Sequence, residues 1–219
     1  MIVFKVYALK ADRYTAAIKD DVYSHQSISL NKDFHHIRIE GNGENSINVE
    51  IRKSSMNELD GYQINKTIAY SYSGDTLILT NVWSDNYQSV NLLVSDPIQS
   101  VIAHNSMMFL SSDIFASQKN IYIECSDIDK DRSNNSQIQF VGNDIQSMQM
   151  RLKNCRMRMY GGYEVSPIAS MEFDVMNSDV ELDSELSKMP TNMIFRTDER
   201  TTLKAPSSVL QRMQLVLQN

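Results

Sequence analysis

The stretch Met148-Gln149-Met150-Arg151-Leu152-Lys153-Asn154-Cys155-Arg156-Met157-Arg158-Met159 places apolar and polar side chains in alternation on both sides of a small polar pair. On a helix Met148, Met150 and Leu152 would point in three directions; on a strand they share one face. The segment therefore reads as strand, corner, strand. The same grammar recurs on either side. Val101 and Ala103 lead into Asn105-Ser106, followed by Met108 and Leu110; Met171, Phe173 and Val175 lead into Asn177-Ser178, followed by Val180 and Leu182. Ile121, Ile123 and Cys125 precede Ser126, and Met193, Phe195 and Thr197 precede Asp198.

Anchored on the second residue of each pair, the units fall at 106, 126, 155, 178 and 198, at intervals of 20, 29, 23 and 20 residues. A unit of about 20 residues with two short strands cannot bury its apolar face alone and must stack on its neighbours. The long interval contains the polar insertion Asp129 to Ser136, expected as a protruding loop. Asn at a corner tolerates left-handed backbone, and stacked Asn side chains can form ladders. The expected fold is all-β: a single-stranded parallel β-helix-like solenoid with irregular repeats of about 20 residues. The first hundred residues carry the same material less regularly. Ile37 and Ile39, Gly41-Asn42-Gly43, then Ile47, Val49 and Ile51 read as strand, turn, strand, as do Tyr70 and Tyr72, Ser73-Gly74-Asp75, then Leu77 and Leu79. Residues 53–67 read as a connecting loop.

The chain has 219 residues, enough for one substantial core. Only 7 are Gly and 4 Pro, which excludes collagen-like and linker compositions. A net charge of −6 with no basic run argues against a nucleic-acid partner. The 13 Met at alternating positions read as core filler. No stretch approaches the length a membrane-spanning helix needs. Residues 1–25 form an N-terminal segment, either an ordinary first strand or the end of a clipped signal or membrane anchor, and 26–219 form a single domain.

Tests for chemistry return weak candidates. Cys125 and Cys155 lack zinc-type partners. At neighbouring corners of stacked coils they would lie about 4.8 Å apart, within disulfide reach, but at non-equivalent positions, so free buried thiols are expected. His25, His35, His36 and His104 form no motif, and His35 and His36 on one strand point to opposite faces. Asp127, Asp129 and Asp131 with Lys130 and Arg132 could serve catalysis or a hard cation, but a loop of alternating charge is expected to be a solvated protrusion. Glu172, Asp174, Asp179, Glu181 and Asp183 alternate with apolar residues and read as an outer face. Trp83, Tyr87, Tyr160 and Tyr163 are candidate exposed aromatics, with Tyr160-Gly161-Gly162-Tyr163 the most site-like patch. No catalytic, metal or cofactor residue is assigned and no cofactor is expected.

The segment Asp33-Phe34-His35-His36-Ile37-Arg38-Ile39-Glu40-Gly41 resembles the opening of the bacterial putative auto-transporter adhesin "head GIN" domain family. Ser46 to Ile51, Gly74-Asp75-Thr76-Leu77-Ile78-Leu79, and Val90 to Val101 with Pro97 match its next elements, whereas the corners at 104–106, 125–127, 154–155 and 177–179 lose its Gly-Ala. The resemblance spans residues 26–219. It implies a parallel β-helix-like solenoid in an envelope or surface protein of Bacteroides-type bacteria, and supplies no catalytic residues.

The expected function is a non-enzymatic cell-envelope or surface module, periplasmic or extracellular, that binds a glycan or an envelope or host protein. The alternatives are a structural or signalling periplasmic ectodomain and a polysaccharide-active β-helix enzyme using the 127–132 loop. Met213, Leu215 and Leu217 near the C-terminus have no polar cap after them, which predicts weak self-association through that edge. Contact with a membrane is expected only through an anchor preceding residue 1.

Overall fold

The computed structural model describes residues 25–42, 47–62, 64, 68–82, 89–116, 118–130, 135–141, 145–161, 168–183, 186 and 192–218. The strands are β1 (His25–Ser29), β2 (His36–Glu40), β3 (Asn48–Lys53), β4 (Glu58–Tyr62), β5 (Ile68–Ser73), β6 (Thr76–Asn81), β7 (Ser89–Val94), β8 (Ser100–His104) and β9 (Met107–Ser111). They continue as β10 (Asn120–Ser126), β11 (Asn135–Phe140), β12 (Ser147–Lys153), β13 (Arg156–Gly161), β14 (Ser170–Met176), β15 (Asp179–Leu182), β16 (Asn192–Thr197), β17 (Thr202–Lys204) and β18 (Met213–Leu217). A 3-10 turn follows β9 at Ser112–Phe115, and one short helix, α1 (Ser207–Leu210), precedes β18.

The protein is all-β, and the strands among its described residues form two sheets of nine. Sheet 1 runs β1-β4-β7-β3-β9-β11-β13-β15-β17; sheet 2 runs β18-β16-β14-β12-β10-β8-β2-β6-β5. From β8 onward the chain alternates, one strand to sheet 2 and the next to sheet 1, and every pairing there is parallel. The alternation read from residue 148 is what closes the core: inward side chains from both sheets meet between them. In sheet 2 the register stacks Val101, Ile123, Met150, Phe173, Phe195 and Leu215 in one column. Met148, Met171 and Met193 stack beside them, all buried. The Phe173 and Phe195 rings lie 5.4 Å apart in a tilted stack. Unbranched Met fills the uneven spaces such stacking leaves, so the Met-rich inventory is core.

The sheets are mixed rather than wholly parallel. β1, β4 and β7 pair antiparallel in sheet 1, and β5 pairs antiparallel with β6 in sheet 2. The cause in sheet 2 is local: Gly74, at φ 62°, turns β5 straight back into β6. Within the stretch read as a loop at 53–67, residues 58–62 form β4.

Two corner positions are corrected. Ser126 pairs with His104, and Lys153 with Met176, so the corner column runs through Asn105, Asp127, Asn154 and Asn177, with Ser126 one residue short of it. Asp198 likewise follows Thr197, the partner of Val175, and acts as a cap: its carboxylate accepts the Asn177 N–H at 3.0 Å and the Thr201 hydroxyl at 2.7 Å. Burial pushes its carboxyl up, but these donors outweigh it and hold it below the usual range. Asn105, Asn154 and Asn177 all have positive φ, at 48°, 54° and 47°. The Asn177 side-chain amide donates to Asn154 Oδ1 at 2.9 Å, and that of Asn154 to the Asp127 carbonyl at 3.0 Å, a short Asn ladder.

Cys125 and Cys155 are both free and buried. Cys125 lies in the sheet 2 core column between Ala103 and Leu152, whereas Cys155 lies beyond the corner and donates its thiol to the Cys125 carbonyl at 2.7 Å. Burial pushes the Cys155 thiol strongly up, with Cys125 adding to the shift.

Candidate binding face

Side chains that do not enter the core stand on the two outer faces in rows that cross the strands. On sheet 1 one row is Phe109, Gln137, Arg158, Glu181 and Lys204; the next is Asn135, Arg156, Asp179 and Thr202. The C-terminal half of these rows forms a shallow open groove of about 450 Å³. Lys130 leans over one end and bonds Asp179 at 2.7 Å, while Arg156 stands 3.7 Å from the same carboxylate. Burial raises the Asp179 carboxyl, but bonds from Lys130 and Thr202 and the nearby Arg156 charge outweigh it, leaving it below the usual range. A second shallow depression on this face brings Phe109, Gln139 and Tyr160 together with Glu50, Arg52 and Asp113.

The acidic loop expected to protrude is only partly a protrusion. Lys130 is held down by Asp179 and by the Arg200 carbonyl at 3.2 Å. Asp127 lies in the corner column, and its Oδ2 is buried without a side-chain or backbone partner. Burial pushes its carboxyl up to about 6, opposed by the Ser106 backbone N–H that donates to it. Asp131 and Arg132 lie outside the described residues, as do Trp83, Tyr87, Gly162 and Tyr163. No group of three or more His, Cys, Asp and Glu among the described residues could hold a metal ion.

The Asp127 shift has a measurable consequence. A carboxyl whose folded pKa is raised holds its proton more tightly folded than unfolded, so its contribution is complete below the unfolded value near 4 and is lost as pH rises through about 6. Asp127→Asn is expected to raise stability at pH 7 by about 1 kcal/mol, discounted for partial exposure, and to bring no gain at pH 4. Urea unfolding at the two pH values checks this; an equal effect at both would show that charge is not the cause.

The acidic strand residues divide between the faces. Glu172 and Asp174 are on sheet 2, where Arg196 stands 3.2 Å from Glu172 and Arg151 3.7 Å from Asp174; Asp179 and Glu181 are on sheet 1. His104 lies between Glu40, at 3.2 Å, and Glu124, at 3.7 Å. His35 Nδ1 lies 3.2 Å from the Pro97 carbonyl.

One grouping escaped the sequence because it joins two strands and the β5–β6 turn: His36 Nδ1 is 2.8 Å from Ser100 Oγ, and its Nε2 is 3.6 Å from Asp75. Ser, His and Asp in contact match the parts of a nucleophilic triad. Acyl transfer also needs N–H donors directed at a developing oxyanion, and those of β2, β8 and β10 here are engaged in parallel ladders. The groove on sheet 1 was hidden for the same reason: its members are 20 to 70 residues apart, and only register assembles them.

No protein-family model matches this sequence, and no curated protein sequence matches it. Among solved structures, the chain is similar over 89% of its length to 94% of a putative adhesin from Bacteroides fragilis NCTC 9343, at 12% identity and a TM-score of 0.47. It is similar over 91% of its length to 96% of a putative adhesin from Parabacteroides distasonis ATCC 8503, at 10% identity and a TM-score of 0.42. A putative adhesin from Parabacteroides merdae ATCC 43184 is similar over 89% of this chain and 92% of that one, at 11% identity and a TM-score of 0.32.

Proposed function

We propose that this chain is a non-enzymatic module of the cell envelope or cell surface that binds a glycan on the outer face of sheet 1. The observation that carries this reading is the groove itself: open, shallow, and lined by Asn, Gln, Thr, Arg, Asp and Glu in rows across parallel strands. Such a face offers repeated hydrogen-bonding groups to an extended polymer. Within this reading the stacked strands act as a β-solenoid, whose regular rise gives the face its length. The pairing of Asp179 with Lys130 and Arg156 favours binding over hydrolysis at the groove, because that carboxylate is committed to ion pairs. No helix among the described residues is long and apolar enough to cross a membrane.

The β18 edge supports weak self-association. Leu215 and Leu217 continue the core columns of sheet 2 yet are 57% and 67% exposed, because no described strand of sheet 1 faces them. Exposure on the cell is tested by protease shaving of intact native cells with an antibody to this chain and a periplasmic control. Rapid loss with the control intact is the expected result; protection until the outer membrane is opened would favour a structural or signalling role in the periplasm.

A further inference from the structure

We infer that the ligand of the sheet 1 groove is an acidic polysaccharide with a carboxylate on every second sugar, held by Arg158 and Lys204 on either side of Glu181. The inference rests on the glycan-binding reading above. Arg156, Arg158 and Lys204 line the groove against Asp179 and Glu181, and Lys130 adds a fourth cation, so the groove is locally positive on a chain of net charge −6. The acidic half of that balance is already used in part. Asp179 is neutralised by Lys130 and Arg156, whereas no ion pair or hydrogen bond joins Arg158 or Lys204 to a side chain among the described residues. Within their row, Arg158, Glu181 and Lys204 are exposed.

Spacing selects the ligand. Adjacent strands lie about 4.8 Å apart, close to the length of one pyranose ring, so Arg158 and Lys204, two strands apart, are separated by about 10 Å, or two rings. A polymer crossing the strands would set a charged ring against Arg158, an uncharged ring against Glu181, whose carboxylate accepts hydroxyl hydrogens, and the next charged ring against Lys204. A polymer charged on every ring would place a carboxylate against Glu181. A nucleic acid is disfavoured by the same carboxylate, by the overall charge, and by the lack of an aromatic side chain among the described residues that line the groove, on which bases could stack.

The test measures binding of the 219-residue chain to hyaluronan oligosaccharides, which carry a carboxylate on alternate sugars, with polygalacturonate, neutral dextran and duplex DNA as comparison probes. Hyaluronan is expected to bind most tightly, and more weakly as salt is raised. Arg158→Glu with Lys204→Glu should weaken it by at least about tenfold, and Glu181→Gln should narrow the preference for hyaluronan over polygalacturonate. Lys153→Glu, on sheet 2, should leave binding unchanged; circular dichroism and thermal unfolding verify that each variant folds. Equal binding of hyaluronan and dextran, or unchanged hyaluronan binding by the folded double variant, would overturn the inference while leaving glycan binding standing. Tighter binding of DNA than of hyaluronan would overturn it too, and failure to bind any glycan would overturn both it and the glycan reading.

Discussion

Gly41→Ala is expected to destabilise the protein by about 3 to 5 kcal/mol, among the largest effects of any single methyl group in the chain. A Cβ at Gly41 would fall inside the backbone carbonyl of Asn105, with that carbonyl's carbon only 2.7 Å away. Backbone cannot step aside as a flexible side chain can. The Gly41 N–H also donates to the His104 carbonyl at 2.8 Å, extending the β2–β8 ladder into the corner, so relief of the clash must open this bond. Because β2 lies between β6 and β8, the disturbance falls in the middle of sheet 2. Urea unfolding of the purified variant, or its recovery in the soluble fraction, measures the loss; a midpoint equivalent to less than about 1 kcal/mol of destabilisation would show that the corner yields easily.

The glycine illustrates how the sequence could be read and where that stopped. The strand Ile37 to Glu40 and the glycine after it were legible from alternation and from a family motif, but the reason for the glycine was not, since the atom it must avoid lies 64 residues away in Asn105. The same division holds elsewhere. Corner asparagines followed from a local property, tolerance of left-handed backbone, and Asn105, Asn154 and Asn177 adopt it. Ser126 and Asp198 were misaligned because small polar residues also end strands and cap neighbouring turns. Sequence spacing alone cannot tell Asp198 as a corner from Asp198 as the acceptor of Asn177's N–H. Alternation identified Arg158 and Glu181 as outward-facing, but their meeting in one row, and Lys130 reaching Asp179, depend on register and on the path of the 127–130 corner.

Asn154→Val is expected to cost about 3 to 4 kcal/mol, against about 1 to 2 for Asn154→Gly, and the difference between the two isolates backbone conformation from hydrogen bonding. At φ 54° a β-branched residue meets the full left-handed penalty, which glycine escapes. Both variants lose the amide that donates to the Asp127 carbonyl and the oxygen that accepts from Asn177, so both break the ladder joining three successive corners. Glycine also enlarges the unfolded ensemble, which is included in its smaller cost. The corner directs the chain from β12 into β13, and β13 carries Arg156 and Arg158 into the groove. The valine variant is therefore expected to lose hyaluronan affinity beyond what its residual folded fraction explains, whereas the glycine variant keeps β13 in register and binds nearly as the parent does. Equal stability of the two variants would mean that the ladder's hydrogen bonds, rather than the left-handed backbone, hold the corner. Parallel changes in stability and binding for both would mean that the groove has no dependence on this corner beyond folding itself.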